Sequence, residues 1–90
     1  MNFERVKSNA NQAIVDFLKI ELSLALTFAD LAFTTSDPGT RDRNTANAKK
    51  AYETVSAKLP KIELSAAEAA QVQKGLERLK SALRSLGENL

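Results

Sequence analysis

The sequence predicts an all-α fold, an up-down-up bundle of three helices in which the first helix is long. Two observations carry this prediction. Apolar residues recur at spacings of three and four in three segments, and capping or proline signals bound the second and third segments. The 90 residues suffice for a single domain over 1–90, and their 43% hydrophobic content is ordinary for a globular chain.

The first helix is predicted over residues 3–33, with Asn2 as its N-cap. Residues 8–12 are weak helix formers, so a break there is the alternative. Without a break the helix spans about 46 Å at 1.5 Å per residue, which is longer than either of the others. Its first apolar row, assigned to the core side, contains Phe3, Val6, Ala10, Ala13, Ile14, Phe17, Leu24, Phe28 and Leu31.

A second apolar row makes the first helix apolar on two sides from Leu18 onward. Both sides of such a helix must be covered, and the other two helices can supply some of that cover. For the rest, we expect this row to bind a partner protein or a second copy of the chain as a homodimer. The residues predicted to make that contact are Leu18, Leu22, Leu26 and Phe33. If the N-terminal turns project from the bundle, Phe3 and Val6 are exposed as well; otherwise the third helix and the C-terminal tail cover them.

The second helix is predicted over 38–58. Asp37 is a good N-cap and Pro38 suits the first helical position. Pro60 disfavours a helical conformation at the residue before it, which ends the helix. The apolar stripe between these signals is Ala48, Tyr52, Val55 and Leu59, and Ile62 and Leu64 in the following link are expected to close the end of the bundle.

The third helix, predicted over 65–86, has the clearest boundaries. Ser65 and Glu68 have the spacing of a capping box, and Gly87 stands where a left-handed C-terminal cap is favoured. Its stripe is Val72, Leu76, Leu79, Leu83 and Leu86. The predicted core of the bundle is Ile14, Phe17, Leu24, Phe28, Leu31, Ala48, Tyr52, Val55, Leu59, Ile62, Val72, Leu76, Leu79 and Leu83.

Composition argues against catalysis. The chain has no Cys and no His, which excludes thiol nucleophiles, zinc fingers and histidine-based proton transfer. Its carboxylates are spread along the sequence, and Glu21, which falls near a core position, is expected to pair with a basic residue of a neighbouring helix. We therefore expect no enzyme activity, no cofactor, no metal and no small-molecule substrate.

Neither a signal peptide nor a membrane span is expected. The start of the chain carries an acidic residue early and no apolar run follows it. The most apolar window, residues 17–33, is interrupted by Lys19, Glu21 and Asp30. A cytoplasmic location is the default expectation.

Basic residues give an alternative function, weak nucleic-acid binding by the second helix. The formal net charge of the whole chain is only +2, but residues 37–61 hold an excess of positive charge. The candidate contacts are Arg41, Arg43, Lys49 and Lys50. Because these four do not share one narrow stripe, a solvated helix face is favoured over a phosphate-binding surface, so a nucleic-acid partner is not the leading expectation.

The residues Ala48, Tyr52, Val55 and Pro60 resemble the second-helix half of a tetratricopeptide repeat, which has small, aromatic, small and proline residues at similar spacing. The resemblance covers residues 48–60. The predicted architecture is also similar in outline to a microtubule-interacting-and-trafficking domain. Both families bind peptides or helices in grooves between helices, so the resemblance implies an interaction module and assigns no site residue.

Overall fold

The bundle has three α-helices. The computed structural model describes residues 3–90, with side chains from residue 10 onward. The elements are α1 (Phe3–Thr34), α2 (Pro38–Lys58), a 3-10 turn (Leu59–Lys61) and α3 (Ala66–Ser85). These bounds lie within one residue of the predicted ones. No strand occurs in the described part of the chain, so the all-α, up-down-up prediction with a long first helix is confirmed.

Local capping fixes the helix boundaries. The Asp37 carboxylate accepts hydrogen bonds from the backbone N–H (2.8 Å) and the hydroxyl (2.7 Å) of Thr40. At α3, the Glu68 N–H donates to the Ser65 hydroxyl (3.1 Å) and the Ser65 N–H donates to the Glu68 carboxylate (3.3 Å), which completes the predicted capping box. Gly87 has a φ of 97°, in the left-handed region that a helix C-terminal glycine favours.

The link between α2 and α3 is bonded to α1 at Asn11. The Asn11 side chain donates to the Glu63 carbonyl (2.7 Å) and accepts from the Glu63 N–H (3.1 Å). Ile62 in the same link packs against the core, as expected of a residue that closes the bundle end. The α1 helix is unbroken through residues 8–12, so the alternative of a break there is wrong.

The core side of α1 carries one heptad stripe of mostly small residues. The buried residues of α1 are Val15, Leu18, Leu22, Ala25, Ala29 and Ala32. Four of them, Leu18, Leu22, Ala25 and Ala29, form one cluster with Ala48, Ala51 and Val55 of α2 and Val72, Leu76, Leu79 and Leu83 of α3. Alanines on both α1 and α2 let the two helix backbones approach closely, and α1 contacts α2 more extensively than α3.

The predicted core face of α1 is wrong. Ile14, Phe17, Leu24 and Leu31 are 41–48% exposed, and Phe28 is half-buried. The buried stripe, Val15 to Ala32, has the same helical spacing as the predicted one, and its alanines fit against α2 where bulkier side chains would not. The predicted core residues Ala48, Val55, Val72, Leu76, Leu79 and Leu83 are buried, while Tyr52, Leu59 and Ile62 pack at the margin of the core.

Matched leucine substitutions on α1 test which row is the core. Leu18 is fully buried, so Leu18→Ala should lower the free energy of unfolding by about 2–5 kcal/mol. Leu24 is 47% exposed, so the same change there should cost less than about 1 kcal/mol. Urea denaturation of the two variants at low protein concentration gives both values. A larger loss for Leu24→Ala would contradict the observed burial.

The two helix N-caps also hold carboxylates in their charged form. The hydroxyl and backbone N–H of Thr40 lower the pKa of Asp37 below its ordinary value of 3.8. The backbone N–H and then the hydroxyl of Ser65 lower the pKa of Glu68 below its ordinary value of 4.5. Because the folded chain binds protons at these groups less readily than the unfolded chain, their stabilisation is present above the unfolded values and is lost as the pH falls through the folded ones.

We therefore expect the melting temperature to fall as the pH is lowered from about 6 to about 3, with a shallower fall in a variant that combines Asp37→Asn and Glu68→Gln. Thermal unfolding followed by circular dichroism measures both slopes. Glu53→Gln, an exposed change in the interior of α2, is the matched control and should keep the slope of the unsubstituted chain. Identical slopes for all three proteins would show that the caps do not cause the pH dependence.

Candidate interaction surface

A continuous apolar stripe lies on the solvent side of α1, and we call it the outer seam. Its residues recur at spacings of four and three, the period of a helix-packing seam. They are Ala13, Phe17, Ile20, Leu24, Thr27 and Leu31, and all six are exposed. Ile20 is the most exposed large hydrophobic side chain of the described part, at 59%. From first to last residue the seam is about 27 Å long at 1.5 Å per residue.

The neighbours of the outer seam extend its apolar surface. Ile14, 41% exposed, and the half-buried Phe28 lie along the side that faces α2. Within the seam, the Thr27 hydroxyl donates to the Ser23 carbonyl (3.1 Å), so its hydrogen-bonding need is met inside the helix. An apolar strip of this extent on a folded monomer is typical of a contact surface.

One side of the outer seam is bordered by a basic edge of α2, formed by Lys50, Lys58 and Arg43. Arg43 stands seven residues before Lys50 and so shares its face of the helix, and it donates a hydrogen bond to the Thr40 hydroxyl (3.3 Å). Lys50 lines a shallow groove together with Glu21, Leu24 and Phe28 of α1. The Lys58 ammonium lies 5.8 Å from the centroid of the Phe17 ring, a cation–π contact. This contact places the C-terminal end of α2 level with Phe17.

The opposite side of the outer seam is bordered by an acidic edge of α1, formed by Asp16 and Asp30 with the neutral Ser23 between them. These residues recur every seven positions, and at about 100° per residue they lie across the seam from α2. Asp16 and Asp30 are exposed, and neither belongs to an ion pair within residues 10–90. Asp16 accepts a hydrogen bond from Gln12 of its own helix, at 3.0 Å. The outer seam therefore runs between a basic and an acidic edge.

The partner-contact residues predicted from sequence are mostly not on this surface. Leu18 and Leu22 are 0% and 6% exposed, so they belong to the core and are not accessible to a partner. Leu26 is half-buried against α3. Phe33 is 49% exposed, but it faces the C-terminal end of α3 beside Leu86. The side chains of Phe3 and Val6 lie outside the described residues.

The candidate nucleic-acid contacts point in two directions. Arg41 donates to the Thr35 carbonyl (3.3 Å) and lines a hollow with residues of α3. Lys49 forms an ion pair with Glu88 (3.3 Å) after the end of α3. Arg43 and Lys50 lie instead on the edge of α2 that borders the outer seam. The four residues thus do not form one patch.

Glu21 is half-buried in the groove that Lys50 also lines. The ion pairs among residues 10–90 join Lys19 to Glu68 and Lys49 to Glu88, so the expected pairing of Glu21 is not formed in the monomer. Within the described residues there is no cluster of three or more metal-ligating side chains, and no helix is long and apolar enough to cross a membrane.

The chain matches no protein-family model, no curated protein and no solved structure. The residues that resemble a tetratricopeptide repeat serve the core of this bundle, since Ala48 and Val55 are buried and Tyr52 packs beside them.

Proposed function

We propose that this chain is a non-catalytic helical interaction module that binds a protein through the outer seam of α1. The observation that carries the proposal is the exposure of Phe17, Ile20, Leu24 and Leu31 along one line of a bundle whose core is filled by other residues. Burying apolar surface is the main favourable term in protein association. A protein that binds at the outer seam therefore buries the most apolar surface of this chain.

The shape of the outer seam favours a helix as the bound element. The surface of a single helix is convex, and the residues of the seam repeat every three or four positions. A second helix packed alongside has the same repeat, so its side chains can fit between those of the seam. The charged edges add selectivity, because a partner must avoid placing like charges against Lys50 and Lys58 or against Asp16. Apolar burial supplies affinity, and the edges determine orientation.

A photoreactive benzoylphenylalanine at position 20 tests whether the outer seam is the contact. Ile20 is central in the seam, so irradiation in an extract of the source cell should give a covalent protein adduct at this position. The same replacement at Phe33, also exposed but off the seam, is the matched control and should not give that adduct. Peptide mapping by mass spectrometry identifies the attached protein.

The adduct should also depend on the rest of the seam. Adding Leu24→Ser should reduce its yield at least about tenfold, the effect of losing roughly 1.4 kcal/mol of binding. Circular dichroism should show unchanged helicity for this variant. Equal adducts at positions 20 and 33, or a yield that Leu24→Ser leaves intact, would contradict the proposal.

Weak nucleic-acid binding is the alternative, and the basic edge of α2 favours it. Arg43, Lys50 and Lys58 follow one another along that edge, whereas Lys49 is paired with Glu88. This function predicts binding to fluorescent single-stranded or duplex oligonucleotides that weakens steeply with salt. Fluorescence anisotropy measures it, and Lys50→Glu should abolish it. An absence of binding at low salt would remove this alternative.

A further inference from the structure

The two edges of the outer seam are complementary to each other. We infer that the partner is a second copy of this chain, packed α1 against α1 in parallel, with the basic edge of each copy facing the acidic edge of the other. This inference rests on the proposed function, because it assigns an occupant to the same seam. The contact would be a two-fold homodimer whose axis runs along α1.

Two symmetric arrangements can pair α1 of one copy with α1 of the other, and they differ in which charged edges meet. A two-fold axis along the helices places the α2 side of one copy against the acidic edge of the other. A two-fold axis across the helices reverses one chain and places the two basic edges side by side. Lys50 and Lys58 of both copies would then face one another, and like charges in contact are unfavourable. The charges therefore favour the parallel arrangement.

The positions of the charges along the helices match this arrangement. Lys58 is level with Phe17 and hence with Asp16 of an identical copy in the same register. Arg43 lies 15 residues earlier on the antiparallel α2, about 22 Å away, and Asp30 lies 14 residues after Asp16, about 21 Å away. Both acids thus meet a basic residue of the other copy, and the two-fold axis repeats the pairs on the other side.

The parallel arrangement also places Glu21 favourably. Glu21 lies on the α2 side of the seam, in the groove with Lys50. The two-fold axis along α1 keeps the two copies of Glu21 on opposite sides of the contact. Seam residues then face their own counterparts, Phe17 against Phe17 and Leu24 against Leu24. The footprint, roughly 27 Å by 10 Å per copy, is below that of standard interfaces, so we expect a dimer that depends on protein concentration and salt.

Disulfide trapping of the purified chain tests the orientation, because the chain has no cysteine of its own. Leu31→Cys and Ala13→Cys stand at opposite ends of the outer seam. A disulfide requires Cα atoms within about 7 Å, so in the parallel dimer each variant should crosslink to itself in a glutathione redox buffer. Its yield should exceed that of the off-seam control Phe33→Cys at least about tenfold. In an antiparallel dimer, only a mixture of the two variants would crosslink.

Charge-reversal substitutions test whether the acidic edge of each copy faces the basic edge of the other. Asp16→Lys should weaken the dimer at least about tenfold in sedimentation equilibrium, and adding Lys58→Asp should restore most of the affinity. A dimer that Asp16→Lys strengthens would overturn the parallel arrangement, since that result is expected where acidic edges face each other.

The outcomes separate this inference from the proposed function. A chain that stays at the 9.8 kDa monomer mass at all concentrations, with no crosslinking of Leu31→Cys above the control, overturns the second copy as partner. If position 20 still forms an adduct with a different protein, the interaction module stands. If it forms none, both proposals fail.

Discussion

The structure depends on which of the two apolar stripes of α1 packs into the bundle, because the other stripe then faces solvent. Within residues 3–90, the neighbours of α1 are α2, α3 and the link between them, and both helices lie on the side of its buried stripe, Val15 to Ala32. Ala25 and Ala29 make that stripe narrow, which allows close packing against Ala48 and Ala51 of α2. Once this face is occupied, the bulky residues of the other stripe have no cover within the described chain.

The helix boundaries could be predicted because their signals are local. The Ser65 capping box, the Asp37 cap and Pro60 act through backbone hydrogen bonds and steric clashes within a few residues. The core face of α1 could not be predicted in this way. Two stripes with the same period differ only in how well their shapes fit helices that are distant in sequence, and the larger side chains lie on the stripe that faces solvent.

The outer seam lies on the helix that the sequence analysis singled out, but on a different row of residues. A search for a second heptad repeat would have found Ile20 and Thr27 between Phe17, Leu24 and Leu31, since all five share one spacing pattern. The positions of the charged edges on either side of the seam could not be predicted in the same way. That Lys58 lies over Phe17 is a tertiary fact, and nothing in the spacing of either residue indicates it.

The distribution of side-chain size links the fold to the proposed association. Among residues 10–34 of α1, the core contains alanines, one valine and two leucines, whereas the three phenylalanines, the two isoleucines and the three other leucines lie outside it or at its margin. In a small bundle of this kind, much of the apolar surface stays exposed to solvent and so does not contribute to the stability of the fold. A partner that covers the outer seam binds the folded state alone, so binding adds to stability by mass action. In the proposed dimer, the residues that the monomer leaves in solvent become a second core shared by two chains.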